Sequence, residues 1–183
     1  MKGYFYHGIE FYPGAVGKVI QLLIKILDEG LIFRSQASGF EDEKMDHICL
    51  YKKNEDYDYN SDLALIHSAR GGWIDGQFVF IIDQNVDARK AILGSETNLV
   101  DEWRCFQNIS PTHFVGIALP VDSIEDYLNE KSYDEIEEQD KVAVKQYLPV
   151  LIEKAQSMKL AIEDSGQPNF TDYYDNLASN RVL

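Results

Sequence analysis

The first twelve residues, MKGYFYHGIEFY, place a histidine and a glycine side by side after an aromatic run. An imidazole can both donate and accept hydrogen bonds near neutral pH, and a glycine lets a ligand approach the backbone closely. Two interpretations of this pair follow. Either Tyr4, Phe5 and Tyr6 begin a β-strand that His7 and Gly8 end as a turn, or a ligand lies against His7 and Gly8.

The remaining histidines and the cysteines do not form a metal-binding pattern. The four histidines have no HExxH or HxxxH spacing, and the two cysteines form no CxxC pair. Cys49 and Cys105 each lie in an apolar, strand-like segment, which favours a buried, reduced pair and cytosolic folding. The chain also lacks a Walker A motif, a GxGxxG motif and a serine nucleophile elbow.

The composition favours one soluble domain and argues against nucleic acid as a partner. The 183 residues are 45% hydrophobic, which suffices for a single globular domain over residues 1–183. The formal net charge of -14 would repel a phosphate backbone, and the basic clusters, Lys52-Lys53 and Arg89-Lys90, are short. No apolar run approaches the roughly 18 residues of a membrane span, and no secretory signal is recognisable. We expect a cytoplasmic protein with no membrane contact, although delivery by a specialised secretion system stays open. The oligomeric state is not predicted.

Hydrophobic periodicity predicts an α+β protein. The apolar stripe in VGKVIQLLIKILDEG predicts one strong early helix that ends at Gly30, and residues from 122 onward predict amphipathic helices with Pro149 at a start or a kink. A short helix is predicted after Ser61 or Asp62. Loops are predicted over 35–46 and 87–100, the segments expected to face an acceptor. Short strands are predicted in LIFR, HICLY, residues 78–82, EWRCF, THFVGIALP and LAIEDSG.

Four segments in this order resemble the ADP-ribosyltransferase superfamily, in the histidine-tyrosine-glutamate branch that includes diphtheria-toxin-like and poly(ADP-ribose)-polymerase-like enzymes. That branch begins with a strand that contains His-Gly, followed by a helix that ends in Gly-Leu and by a strand that contains a tyrosine. A later strand begins with a glutamate, and the next strand has the pattern I-x-P-x-x-aliphatic. In this chain the matching segments are YHG at 6–8, residues 15–31, HICLY at 47–51, and residues 101–103 with 109–117. The resemblance covers residues 4–120.

The resemblance implies a fold of two small packed sheets around an NAD cleft. The core would be 4–120, with an acidic helical extension at 121–183. NAD would be a co-substrate, and no metal would be required. His7 would hydrogen-bond the nicotinamide-side ribose, the Gly8 backbone would bind the nicotinamide amide, and Tyr51 would stack on the nicotinamide ring.

Glu102 would be the catalytic residue that the resemblance implies. It would hydrogen-bond the ribose 2′-hydroxyl and stabilise the oxocarbenium-like cation that forms as nicotinamide leaves. A carboxylate is effective there because the positive charge appears mainly in the transition state. Arg34 could bind a phosphate of the dinucleotide, and Lys52-Lys53 could steer the phosphates.

The resemblance implies an NAD-dependent mono-ADP-ribosyltransferase that modifies a protein acceptor. NAD hydrolysis with water as the acceptor is an alternative. So is a non-catalytic NAD- or protein-binding module that uses the helical segment 122–158, because Asp62 stands where the branch has a second tyrosine. An arginine-serine-glutamate site would use Arg34 and the two glutamates of Glu135-Ile136-Glu137. These glutamates lie in an acidic segment predicted to be helical, with no strand directly after it, which disfavours this alternative. RNA 2′-phosphotransferase chemistry is disfavoured by the negative charge.

Overall fold

The structure is a computed structural model of the chain. It describes residues 4–9, 13–32, 47–52, 78–90 and 101–165. For residues 51, 52, 101 and 102 the description covers the backbone. The strands in chain order are β1 (Phe5–Ile9), β2 (Ile48–Lys52), β3 (Phe78–Ile82), β4 (Ala88–Lys90), β5 (Asp101–Cys105), β6 (Phe114–Leu119) and β7 (Ala161–Asp164). The helices are α1 (Val16–Glu29), α2 (Val121–Asn129) and α3 (Glu135–Ser157), with a 3-10 turn at Pro111–His113.

The described strands form a mixed sheet in the order β4-β5-β2-β1-β3-β6-β7. All pairs are antiparallel except β6 with β7. The register between β1 and β2 holds at a single pair, Tyr6 with Tyr51, whereas β1 pairs with β3 over all five of its residues. The ladder between β1 and β2 is therefore the shortest in this sheet, which combines with three described helices in a mixed arrangement of helices and strands. This agrees with the predicted α+β class.

The two faces of this sheet have different environments. Alternate side chains of the strands, including Phe5, Leu50 and Phe80, pack with α1 and α3 in one large apolar cluster. The opposite face of β1, β3 and β6 carries a smaller cluster of Tyr6, Val79, Ile81 and Ala118. Because both faces of β3 are covered, its five residues are all buried, as the unbroken apolar run at 78–82 predicts.

Helix α1 follows the predicted periodicity. Its buried residues lie three or four apart, so they form one stripe that faces the core: Val16, Gly17, Ile20, Leu23, Ile26 and Leu27. The helix ends at Gly30, whose φ of 88° lies where only glycine is unstrained. A Cβ atom at Gly30 would come within 2.2 Å of the Ile109 carbonyl oxygen. This close approach forms the bridge between Leu31 and Ile109, whose amides donate to each other's carbonyls at 2.9 Å.

The described part of the helical C-terminal third packs into the same core. Val144, Leu151 and Ala155 of α3 are fully buried against the cluster that contains the α1 stripe. Gly17 of α1 allows the close approach, because a Cβ atom there would lie 2.6 Å from Ala143 Cβ. Residues 161–164 complete the sheet as β7, as LAIEDSG predicts.

Four local predictions need correction. His7 and Gly8 lie inside β1, which continues to Ile9, so they are not a turn. Of the two alternatives predicted for Pro149, a helix start is wrong: helix α3 runs through this residue, and buried residues on both sides of it pack in the core with α1. Residues 88–90 of the predicted loop 87–100 form β4 by pairing with β5. In the predicted strand LIFR, Leu31 forms only an isolated bridge and Ile32 lies outside any strand.

The predicted loop 35–46 and the short helix after Ser61 or Asp62 lie outside the described residues, as does Asp62 itself. Within the described part of the chain, no helix is both long enough and apolar enough to cross a membrane.

Candidate functional site

Three predicted site residues lie on three neighbouring strands. Tyr51 of β2 pairs directly with Glu102 of β5 on one side and with Tyr6 of β1 on the other. Residues paired directly across antiparallel strands are about 5 Å apart at Cα, so this row spans about 10 Å. His7 follows Tyr6 on β1. The backbone register therefore brings together positions 7, 8, 51 and 102, which are far apart in sequence.

The His7 imidazole is hydrogen-bonded to the neighbouring strand β2. Its Nδ1 is 2.9 Å from the Cys49 carbonyl oxygen. This bond joins a side chain of β1 to the backbone of β2, next to the short ladder at Tyr6 and Tyr51.

The same hydrogen bond determines which ring nitrogen of His7 remains for a ligand. A carbonyl oxygen can only accept, so Nδ1 carries the hydrogen. Burial lowers the pKa of His7 below its usual value of 6.5, and the bond to Cys49 offsets part of that shift. At neutral pH the ring is therefore uncharged, and its Nε2 is a hydrogen-bond acceptor. A sugar hydroxyl is a suitable donor to such a nitrogen.

Alternation along β1 separates His7 from Tyr6. Position 7 shares its side of the strand with Phe5 and Ile9, which pack on the large cluster, whereas Tyr6 is buried in the small cluster on the opposite face. Positions 51 and 102 are in register with Tyr6. Position 7 is therefore on the side of the sheet opposite to positions 51 and 102, although all three are close in the backbone register.

The other sequence predictions have mixed outcomes. Arg34 and Lys53 lie outside the described residues, and for Lys52 only the backbone is described, in register with Asp101. Both cysteines are free; Cys105 is buried, but Cys49 is only half-buried. Burial raises the pKa of the Cys105 thiol, so it is a poor nucleophile. The described residues contain no group of three or more side chains suited to hold a metal ion.

The structure also brings together residues that sequence reasoning missed. Arg89 of β4 pairs directly with Arg104 of β5, and Arg104 pairs with Cys49 of β2. Next to this pair is an open pocket of about 210 Å³ lined by Asp87, Arg89, Phe106 and Gln107. The sequence showed Arg89-Lys90 as a short basic cluster, but the pairing with Arg104 depends on β4, which the sequence did not predict.

Comparisons with known proteins were made at three levels. No protein-family model, no curated protein sequence and no solved structure matches this chain.

Proposed function

We propose that the chain is an NAD-dependent mono-ADP-ribosyltransferase that modifies a protein acceptor. One observation carries the proposal: Tyr51 and Glu102, which are 51 positions apart in sequence, are directly paired, next to the strand that holds His7 and Gly8. A chance match of short segments has no reason to bring these positions together. The bridge between Leu31 and Ile109 adds support, because it joins the helix-Gly-Leu segment to the I-x-P segment.

In the proposed complex a dinucleotide binds at the short ladder between β1 and β2, where positions 7, 8, 51 and 102 are close in the backbone register. Nε2 of His7 can accept a hydrogen bond from the ribose on the nicotinamide side. Gly8 has no side chain to exclude an amide from the backbone of β1. Tyr51 supplies an aromatic ring for the nicotinamide, and Glu102 supplies a carboxylate for the ribose.

In the proposed reaction the bond between the nicotinamide nitrogen and ribose C1′ breaks, and its electron pair leaves with nicotinamide. The ribose becomes positively charged, and the Glu102 carboxylate stabilises that charge. A nucleophile of the acceptor protein then forms a bond to C1′ and gives its proton to solvent. Glu102 therefore acts mainly in the transition state, so its loss should lower kcat more than it raises KM.

The test is nicotinamide release from labelled NAD by the pure protein, with and without cell lysate. The variants are Glu102→Gln and, as a matched control, Asp101→Asn on the neighbouring residue. We expect Glu102→Gln to reduce release at least about a hundredfold and Asp101→Asn to retain most of it, because removing one transition-state contact costs about this much. A labelled protein band in lysate would support transfer.

The other outcomes separate the alternatives. Release that depends on Glu102 without any labelled acceptor would indicate an NAD glycohydrolase. NAD binding without release would indicate a non-catalytic module. If the protein neither binds NAD nor releases nicotinamide from it, the proposal for the site at β1 and β2 is refuted. If Glu102→Gln and Asp101→Asn lose activity equally, Glu102 has no special role in the mechanism.

A further inference from the structure

The connection between α2 and α3 presents two large apolar side chains to solvent. Tyr133 is 90% exposed, and Ile136, three residues later in the first turn of α3, is 67% exposed. Neither side chain contributes to the core of its own chain. A tyrosine ring is a common anchor at the centre of protein interfaces, because it buries a large apolar surface and also has a hydroxyl that can hydrogen-bond. These two side chains are therefore candidates for contact with another surface.

Hydrogen bonds hold this connection in one conformation. The Asp134 carboxylate accepts from the Glu137 amide at 2.9 Å, and the Glu137 carboxylate accepts from the Tyr133 amide at 2.8 Å. The buried Lys141 of α3 donates to the carbonyl oxygen of Glu130. A surface that is already ordered loses little conformational entropy when it binds. The exposed side chains therefore stand on a rigid base.

Acidic side chains surround the exposed pair. Residues 130–138, which we call the acidic corner, contain one basic residue, Lys131, and five acidic residues: Glu130, Asp134, Glu135, Glu137 and Glu138. Glu135 and Glu138 are exposed. A surface that docks on the acidic corner must therefore combine positive charge with an apolar recess for an aromatic ring.

The pocket beside β4 has this combination. Its volume of about 210 Å³ suits a single ring, and its lining of Asp87, Arg89, Phe106 and Gln107 defines what we call the β4 pocket. Phe106 is 49% exposed, so its ring is available to pair with an entering ring. Arg89 is exposed and supplies positive charge for a carboxylate. The Asp87 carboxylate can accept a hydrogen bond from a phenol hydroxyl.

The two surfaces lie on opposite sides of the sheet. Val86 and Ala88 pack in the large cluster under the helices, so alternation puts Asp87 and Arg89 on the face away from the helices. Helix α3 lies on the helical face and packs against β7, at the other end of the described sheet from β4. The acidic corner of one chain therefore cannot enter the β4 pocket of the same chain.

We infer that the acidic corner of one copy of this chain docks into the β4 pocket of a second copy. The Tyr133 ring packs against Phe106, and the carboxylates of the corner lie opposite Arg89 and form charge-assisted hydrogen bonds with it. Two different surfaces meet, so the contact is head-to-tail and leaves one corner and one pocket open in every dimer. This inference does not rest on the proposed transferase activity.

Sedimentation velocity over about 10–500 µM protein tests the contact. Salt at about 0.1 M screens the general repulsion between two acidic chains and acts less on charges in contact. We expect the average mass of the wild-type chain to rise with concentration. Tyr133→Ala and Arg89→Glu should each weaken association about tenfold or more. Their matched controls should associate as the wild type does: Val142→Ala removes an exposed apolar side chain elsewhere on α3, and Lys25→Glu makes the same charge change on α1.

A mixture of two variants distinguishes a head-to-tail contact from a symmetric one. Arg89→Glu retains an intact acidic corner, whereas Tyr133→Ala retains an intact β4 pocket. Each variant alone should stay monomeric, but the mixture should form a one-to-one dimer that grows no further, because only one complementary pair of surfaces remains. Thermal unfolding checks that the variants are folded, and Ile136→Ser and Phe106→Ser repeat the test with one apolar change on each surface.

The remaining outcomes overturn the inference. A wild-type chain that stays monomeric throughout this range, including one whose acidic corner binds oligolysine instead, has no such contact between copies. Association that persists in both Tyr133→Ala and Arg89→Glu uses other surfaces. If both variants are monomeric and their mixture is monomeric too, the two surfaces do not bind each other.

Discussion

The N-terminus of α1 is capped by a carboxylate from a distant helix, and this contact allows a quantitative prediction. The residue before the helix, Ala15, provides no side-chain cap, and the first turn of α1 contains no acidic residue. Asp140 of α3 supplies both functions: its carboxylate accepts from the amides of Val16 at 2.9 Å and Gly17 at 3.0 Å. The third donor is the Tyr127 hydroxyl at 2.9 Å, which in turn accepts from the Gly14 amide at 3.0 Å.

Replacement of Asp140 by alanine should destabilise the fold by about 3–4 kcal/mol. Three donors lose their acceptor in a buried site, and each unsatisfied buried group costs about 1–3 kcal/mol. Water that enters the space left by the carboxylate lowers this sum, while loss of a negative charge at the helix N-terminus adds about 0.5 kcal/mol. Asp140→Asn retains one oxygen acceptor, so it should cost about 1–2 kcal/mol.

Equilibrium unfolding in urea measures this directly. With a slope of about 2 kcal/mol per molar urea, Asp140→Ala should lower the midpoint by roughly 1.5–2 M. Glu153→Ala is the matched control, since it removes an exposed acid from the same helix and should change the midpoint little. If Asp140→Ala unfolds at the same urea concentration as Glu153→Ala, the carboxylate does not stabilise the junction of α1 and α3, and the reasoning is wrong.

Two further predictions concern glycine and histidine positions. Gly30→Ala should destabilise the protein by at least about 3 kcal/mol in urea unfolding, because a Cβ atom at φ 88° also meets the Ile109 carbonyl oxygen. The control Gly14→Ala, with φ 77° but its nearest contact at 3.8 Å, should cost only about 1–2 kcal/mol; equal losses would contradict the close-contact argument. For His7, the folded-state pKa lies below 6.5, so the unfolded chain binds the proton more readily. Its contribution to stability should be complete above pH 6.5 and decline as the pH falls from 6.5 to the folded-state pKa. His7→Gln should flatten the stability profile in that window, and an unchanged profile would show that His7 is not buried in the neutral form.

Local sequence patterns were sufficient for elements whose boundaries depend on neighbouring residues. The apolar stripe and Gly30 predict α1 because a helix repeats every 3.6 residues and a positive φ favours glycine. The uninterrupted apolar run of β3 predicts a strand that is covered on both faces. The His-Gly pair stood out by its residue types, because an imidazole beside a bare backbone position suits a ligand, whereas the Asp-Glu-Trp segment became a candidate only through the resemblance to the ADP-ribosyltransferase superfamily.

Only the tertiary structure decided how these segments meet. Strand β4 has three residues, two of them basic, and it exists through its pairing with β5 rather than through its own propensity. Other contacts join residues that are far apart in sequence. Tyr51 pairs with Glu102 at a separation of 51 positions, and Arg89 pairs with Arg104 at a separation of 15. Asp140 caps α1 from more than 120 positions away. Periodicity reports which side of a single element is apolar, but contacts between elements depend on strand order and register. Strand order and register are determined by how the whole chain buries its apolar surface. The sequence therefore indicated which residues are candidates for a site, and the sheet determined which of them are neighbours.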